Sequence, residues 1–115
     1  PTLAPMTRGI LSTQYADLAR EGVTAEMMVA EARRYFAGSP SVAVLDPGVL
    51  PDTLWVRGSC RAMLAYAVDD HTDTLIALSV IDNLARGASA QAVQALNVAL
   101  GWAEDLGLPV IATFP

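Results

Sequence analysis

Residues 60–82, CRAMLAYAVDDHTDTLIALSVID, decide the fold class of this 115-residue chain. Along residues 60–68 one set of side chains alternates with another, and β-branched side chains recur along residues 74–81. The first set is Cys60, Ala62, Leu64, Tyr66 and Val68, and the second is Arg61, Met63, Ala65 and Ala67. The segment between them, DDHTD (69–73), consists of residues that favour turns. Two strand-like runs joined by a turn predict a β-hairpin. A helix over residues 59–69 is the alternative.

Residues 23–40, VTAEMMVAEARRYFAGSP, predict a helix. Thr24 is placed to cap its start, while Arg33 and Arg34 lie in its last turn, where positive charge is favourable. Gly38 is placed as the residue that ends the helix in a left-handed conformation. We expect one apolar face on this helix.

A second helix is predicted after Ser89, which is placed as its cap, and Gly107 and Pro109 are expected to end it. This segment carries no charge between Arg86 and Glu104. It has a stripe of larger apolar residues and a stripe of alanines, which predicts burial on two sides. The stripes are Val93, Leu96 and Leu100, and Ala92, Ala95, Ala99 and Ala103.

The other segments are shorter. Residues 41–45 predict a strand, residues 49–59 a loop with a little extended chain, and residues 110–114 a final extended piece. Residues 10–18 fit a strand or a helix, and their pattern favours a helix. Mixed helices and strands with an antiparallel hairpin predict an α+β domain, with an antiparallel or mixed sheet and helices packed on one face.

Composition excludes several classes of function. Hydrophobic residues make up 53% of the chain, the net charge is −5, and all the basic residues are arginines. An acidic chain without a basic patch argues against nucleic acid, and a single cysteine excludes internal disulfides. No apolar run is long enough for a membrane span, and no signal peptide is visible, so we expect a cytoplasmic protein that binds no membrane. The high apolar content predicts contact with another chain or domain.

Candidate reactive groups have simpler explanations. Cys60 could be a nucleophile, but a lone cysteine on an alternating strand is usually a small core residue. The amino-terminal Pro1 is explained better by loss of a start methionine, or by a boundary at which the sequence was cut, than by catalysis. Residues 87–90, GASA, lack the spacing of a phosphate-binding loop. The turn could hold a metal, although a hairpin tip is the commoner explanation for Asp69, Asp70, His71 and Asp73. We therefore predict no metal site and no catalytic residue in this chain.

Four segments carry a family resemblance: LAPMTRGIL (3–11), LPDTLWVRGSC (50–60), AVDDHTDTLIALSVIDN (67–83) and SVIDNLARGASAQAVQALNVALGW (79–102). They resemble, in the same order, the C-terminal part of N-acetyl-γ-glutamyl-phosphate reductases, the NADP-dependent enzymes of arginine biosynthesis. The resemblance covers essentially the whole chain. Departures from the family pattern include Arg86 for Lys, Ala90 for Gly and Cys60 for Asn.

The resemblance implies a partial C-terminal domain of the glyceraldehyde-phosphate-dehydrogenase type, in which residues 10–18 form a strand. Residues 1–115 would be the second half of the substrate-binding and oligomerisation domain. The family's reactive Cys and His, and its nucleotide-binding domain, precede the matched region. Cys60 and His71 are not their equivalents, so the chain alone is expected to be inactive.

The resemblance also suggests site residues. Arg8 is the candidate for the substrate's carboxylate or phosphate, with an ion pair closing its own turn as the structural alternative. Asn83 is expected near the nicotinamide amide of NADP, or else to be a turn amide. Gly87 carries the loop to a helix whose N-terminus faces the cleft.

The expected partners are the small-molecule substrate, the NADP-binding domain of the same enzyme and further copies of the chain, which would form a homo-oligomer through the sheet. Two alternative functions stay open at this point. One is a related reductase of aminoadipyl phosphate, and the other is a standalone, non-catalytic assembly or regulatory partner.

Overall fold

The computed structural model describes residues 4–113. Four strands form one mixed sheet in the order β1-β4-β3-β2, so the α+β prediction is confirmed. The elements are β1 (Ile10–Asp17), α1 (Ala25–Tyr35), β2 (Val42–Val44), a 3₁₀ turn (Thr53–Val56), β3 (Ala62–Asp69), β4 (Thr74–Ile81), a π-helical turn (Ala85–Ser89) and α2 (Ala90–Ala99).

The predicted hairpin is confirmed, and the helical alternative for residues 59–69 is wrong. Strands β3 and β4 are antiparallel, with Asp69 opposite Thr74 at the turn and Met63 opposite Val80 at the far end. Asp73 has φ +50°, the left-handed conformation that Asp tolerates better than most residues. Strand β2 joins β3 in the parallel sense.

Strand β1 lies along β4 in the antiparallel sense, from Ile10 opposite Ile81 to Asp17 opposite Thr74. The helix that the local pattern favoured here is wrong, and the strand that the family resemblance implied is confirmed. The physical reason is exposure. Of the residues in β1 only Ser12 is even half-buried, so neither face imposes a hydrophobic period on the sequence.

Helix α1 confirms its predicted cap and charges. The Thr24 hydroxyl accepts a hydrogen bond from the Met27 amide at 3.3 Å. The expectation for Gly38 is wrong, because Phe36 closes the last turn by donating to the Ala32 carbonyl at 2.9 Å, and Gly38 does not take positive φ. The helix lies over the sheet face that carries Tyr66, and together they line an open cleft of about 300 Å³.

Helix α2 differs from its prediction. Only Ala90 and Asn97 are buried, while both apolar stripes are exposed within this chain. The Asn97 side-chain amide donates to the carbonyls of Glu104 and Leu106, at 3.2 and 3.0 Å, which holds the following loop. The helix ends at Ala99, ahead of Gly101 at φ +70°, rather than near Gly107. Among residues 4–113, no helix has both the length and the apolar character needed to cross a membrane.

Residues 49–59 contain the 3₁₀ turn where only a loop was predicted. The segment after α2 returns beside this region, where Cys60 donates its amide to the Pro109 carbonyl at 2.7 Å and Thr113 donates to Arg57 at 2.9 Å. These bonds hold residues 109–113 in place without making them a strand. The rest of the predicted piece, Phe114, lies outside the described residues.

The buried core is small and lies near one end of the sheet. Its apolar members are Val29, Ala32, Val56, Cys60, Ala65, Val80 and Ala90. On the sheet face opposite Tyr66, Leu11 and Tyr15 are 49% and 70% exposed, and Ile76 and Leu78 are half-buried. The described chain therefore leaves much of this apolar face uncovered.

Candidate functional site

The residues predicted as a site meet at one end of the sheet. Arg8 precedes β1 and Asn83 follows β4, and these strands are antiparallel with Ile10 opposite Ile81. The start of one strand therefore lies beside the end of the other, 74 residues apart in sequence between Gly9 and Asn83. Gly87 follows in the π-helical turn. The structure thus brings Arg8, Asn83 and Gly87 into one region.

Asp82 lies at the centre of this region and its side chain is completely buried. Its Oδ1 accepts hydrogen bonds from the amides of Leu84 and Ala85, each at 2.8 Å. Its Oδ2 accepts one from the Gly58 amide at 2.7 Å and lies 2.8 Å from Arg8 Nη2. One carboxylate therefore joins three segments of the chain.

These contacts fix the ionisation state of Asp82. Burial by itself raises the pKa of the carboxyl. Hydrogen bonds from the Gly58 and Ala85 amides, from Arg8 and from the Leu84 amide lower it by more, so the pKa falls from its ordinary 3.8 to about 2. Asp82 is therefore a carboxylate at any physiological pH.

Asp82 also caps the π-helical turn that leads into α2, and Ser89, although it directly precedes α2 as predicted, makes no side-chain cap hydrogen bond. Asp82 accepts from the amides two and three residues ahead of it, which is the bonding pattern of an N-cap residue. Ser89 instead has helical backbone angles, and its hydroxyl donates to the Leu84 carbonyl at 2.9 Å. The helical run therefore begins directly after Asp82, and its first amides face this carboxylate.

Sequence reasoning did not single out Asp82 as a site residue. One signal was available, since an Asp directly after a β-branched strand and before a helical run is a candidate cap. Its pairing with Arg8 was not available, because that contact depends on the register between β1 and β4.

The Arg8 side chain is held by an ion pair and is also partly exposed to solvent. Its side chain is 32% exposed, and the ion pair with Asp82 uses one terminal nitrogen of the guanidinium. Its Nε is buried and has no hydrogen-bond partner among residues 4–113. The expected structural alternative, an ion pair, is thus present, although it reaches across the sheet end rather than closing its own turn. The role of Arg8 in substrate binding stays a prediction.

Asn83 has one oxygen committed to structure. Its Oδ1 accepts a hydrogen bond from the Gly9 amide at 2.8 Å. Its Nδ2 donates to no acceptor in the described part of the chain, and the residue is half-buried. Asn83 therefore acts as a structural amide through its oxygen and leaves a donor for a ligand.

Gly87 donates its amide to the backbone carbonyl of Asp82 at 2.9 Å. A Cβ at this position would be in ordinary contact with that carbonyl at 3.6 Å and with Ile81 at 3.7 Å. Because its amide already donates to Asp82, Gly87 could affect a cofactor only through its lack of a side chain. The cofactor role of Gly87 stays a prediction.

A polar cluster supports the other side of the loop. The Arg86 guanidinium donates to Ser41, which is buried, at 3.2 Å, and to the side chain of Gln94. Gln94 in turn donates to Glu104 and to Ser41. Arg86 therefore fixes the start of α2 against the residues that precede β2.

Cys60 and the turn both have structural roles. Cys60 is fully buried, and burial raises the pKa of its thiol, which favours the protonated form. Asp69 accepts from the His71 amide at 3.0 Å, as in a turn built by Asp, and His71 lies at the opposite end of β3 from Cys60. Within residues 4–113 no group of three or more acidic, His or Cys side chains is placed to hold a metal. Pro1 lies outside the described residues.

The described residues do not form the strand–helix–strand unit through which NADP, the cofactor that the resemblance implies, is bound in dinucleotide folds. A dinucleotide fold needs parallel strands joined by an α-helix with a glycine-rich loop. Within residues 4–113 the one parallel pair, β2 with β3, is joined through the 3₁₀ turn. The cofactor role of Asn83 stays a prediction.

Comparison with known proteins places the chain in a family. Residues 1–83 match the family model described as "Semialdehyde dehydrogenase, dimerisation domain". Over all 115 residues the chain is 42% identical to an N-acetyl-gamma-glutamyl-phosphate reductase of Thermosynechococcus vestitus, 41% to one of Gloeobacter violaceus and 44% to one of Crocosphaera subtropica. It spans 33% of the length of each relative. The resemblance found in the sequence is thereby confirmed, and the chain belongs to the semialdehyde dehydrogenase dimerisation-domain family.

Proposed function

We propose that this chain is the C-terminal part of an NADPH-dependent N-acetyl-γ-glutamyl-phosphate reductase, which converts the acyl phosphate to the semialdehyde in arginine biosynthesis. The observation that carries the proposal is the 41–44% identity to reductases of that name, sustained over all 115 residues. Residues 1–115 would be the second half of the substrate-binding and oligomerisation domain. The nucleotide-binding domain would lie in the part that this chain does not cover.

In this enzyme Arg8 binds an anionic group of the substrate, either its carboxylate or its phosphate. The contact with Asp82 occupies one nitrogen of the guanidinium, and a third of the side chain is open. A guanidinium presents several parallel donors, and these match the paired oxygens of a carboxylate or phosphate. Arg8 thereby orients the substrate without taking part in bond making.

Asn83 supports the cofactor side of the same cleft. Bound NADPH would supply the hydride for the reduction. The Nδ2 of Asn83 would donate to the carboxamide oxygen of the nicotinamide, and its Oδ1, which accepts from the Gly9 amide, supports this by fixing the side chain. Gly87, in the turn that follows Asn83, would present no side chain to the cofactor. The reactive Cys and His that the resemblance implies would come from the part of the enzyme outside this chain.

The chain also supplies a surface for self-association. Its family is defined as a dimerisation domain. The sheet face opposite α1 is apolar and open, with Tyr15 70% exposed. A closed two-fold dimer through this face would cover it without leaving a free copy of the surface. We also propose a cytoplasmic location, which the biosynthetic name of the relatives supports.

Two measurements test the proposed function. The mass of the natural protein should be about three times the 12.1 kDa of this chain, given its 33% share of the relatives. That intact protein should oxidise NADPH with N-acetylglutamyl phosphate and much more slowly with aminoadipyl phosphate. The isolated 115 residues should show no turnover. A natural protein of 12.1 kDa would support a non-catalytic partner, and a preference for aminoadipyl phosphate would replace the substrate.

A further inference from the structure

Asp82 connects the candidate substrate residue to the rest of the fold. Its carboxylate is fully buried and lies between the segment that leads into β1, the loop after the 3₁₀ turn and the start of the helical run. Only one of its partners, the side chain of Arg8, is partly exposed to solvent. The other three are backbone amides, of Gly58, Leu84 and Ala85, which cannot move without moving the chain.

We propose that Asp82 is the positioning residue for Arg8, and that its carboxylate holds the guanidinium in the orientation that binds the anionic group of the substrate. This inference rests on the function proposed above. Asp82 itself touches neither substrate nor cofactor, because its side chain is completely buried.

The two carboxylate oxygens of Asp82 have different partners, and this explains how the orientation of the Arg8 guanidinium is fixed. Oδ1 is held by the Leu84 and Ala85 amides, so the carboxylate cannot rotate. Oδ2 then points in one direction, where it meets the Gly58 amide and Arg8 Nη2. A carboxylate has about four acceptor sites, and the four donors around Asp82 use this capacity.

An anchored guanidinium binds its ligand more tightly than a free one. A long Arg side chain loses rotamer freedom when it is ordered, and an unanchored Arg8 would lose it when the substrate binds. With Asp82 in place this ordering has already occurred. The ordered Arg8 side chain strengthens binding of the substrate and of the transition state equally. Loss of this ordering should therefore raise KM and leave kcat nearly unchanged.

The unpartnered Nε of Arg8 agrees with this role. It is buried without a hydrogen-bond partner among the described residues, an arrangement that few native groups show. In this conformation Arg8 keeps the ion pair with Asp82 while its Nε has no hydrogen-bond partner among residues 4–113. This agrees with a conformation that is held through Asp82.

The test uses the intact reductase with four test variants, a control variant and one replacement variant. Asp82→Asn keeps the size of the side chain and removes its charge, and Arg8→Met removes the proposed substrate contact. We expect Asp82→Asn to raise KM for the acyl phosphate about tenfold with kcat within about twofold of wild type. The double variant should be no worse than Arg8→Met alone, because Asp82 acts through Arg8. Arg8→Lys, which keeps a charge for Asp82, should fall between wild type and Arg8→Met.

Asp46→Asn is the matched control, because Asp46 forms an Arg–Asp ion pair of similar length, 2.7 Å, with Arg33 on the exposed surface. It should leave KM and kcat at their wild-type values. If Asp82→Asn does not fold, Asp82→Ser takes its place, since Ser retains an acceptor for the helix amides but has no second oxygen for Arg8.

The outcomes separate the two proposals. An unchanged KM in Arg8→Met removes Arg8 from the substrate site and contradicts the proposed function of that residue. A raised KM in Arg8→Met with a normal KM in Asp82→Asn leaves that function standing and overturns the positioning role. Additive effects in the double variant, or failure of both Asp82 variants to fold, also overturn it, because Asp82 would then act on the fold as a whole.

Discussion

Asn83 Oδ1 accepts a hydrogen bond from the Gly9 amide at 2.8 Å, which joins the residue after β4 to the residue before β1. Gly9 has φ +109°, and a Cβ there would lie 2.7 Å from Thr53 Cβ. The junction therefore combines one side-chain hydrogen bond with a backbone conformation that only glycine adopts without strain. The two partners can be altered separately.

Gly9→Ala should destabilise the intact protein by about 2 kcal/mol or more, because it adds both backbone strain and a collision with Thr53. Gly48→Ala is the matched control, since Gly48 has φ +81° but nothing within 4 Å of its Cβ position. It should cost about 1 kcal/mol from strain alone. Urea unfolding measures both, and equal losses would show that the Thr53 contact is relieved at no cost.

Asn83→Ala and Asn83→Asp should separate the two roles of the amide. Both remove the Nδ2 donor, so both should raise KM for NADPH to a similar extent. Only Asn83→Ala also leaves the Gly9 amide without its acceptor, which should cost about 1 kcal/mol of unfolding free energy. Steady-state kinetics and urea unfolding report the two effects. A wild-type KM for NADPH in both variants would leave Asn83 with a structural role alone.

Asp82 should make stability depend on acid pH. Its pKa is lowered from 3.8 to about 2 in the folded protein, so the carboxylate stabilises the fold at pH above about 4. This contribution, about 2 kcal/mol, should disappear as the pH falls from about 4 to about 2. Unfolding of wild type and Asp82→Asn should therefore differ at pH 5 and converge near pH 2. A constant difference across that range would contradict the low pKa.

Tyr15→Arg should weaken self-association. Tyr15 is 70% exposed on the open sheet face, and a buried unpaired charge in an interface is costly. Tyr35→Arg is the control, because Tyr35 is 77% exposed on α1, on the other side of the sheet. Light scattering at several protein concentrations should show a smaller species for Tyr15→Arg and no change for Tyr35→Arg. The reverse result would place the interface on the α1 side.

Local sequence signals were sufficient wherever one short segment determines its own structure. The turn residues at 69–73 and the cap at Thr24 each act on neighbours within a few positions, and both elements form as predicted. Strand β1 and the cap of the helical run before α2 were not predicted from the pattern. In β1, exposure leaves the sequence without a hydrophobic period, and the helical run is capped by Asp82, seven positions before Ser89.

The candidate site was only partly predictable for the same reason. Arg8, Asn83 and Gly87 were named through the family resemblance, and the structure brings them to one end of the sheet. The ion pair of Arg8 with Asp82 depends on the β1–β4 register, which no local spacing encodes. The burial predicted for α2 requires surfaces that the described chain does not contain.

The position of β1 also has a consequence for the order of folding. Strands β3 and β4 are joined by a short turn, so their pairing closes a small loop, whereas β1 pairs with β4 across about half of the chain. Long loops close at a higher entropic cost, and the hairpin should therefore form before β1 docks. Until that step Asp82 has no guanidinium beside it. Docking of β1 therefore completes the fold and the candidate site in one step, because it brings Arg8 to Asp82 and Gly9 to Asn83.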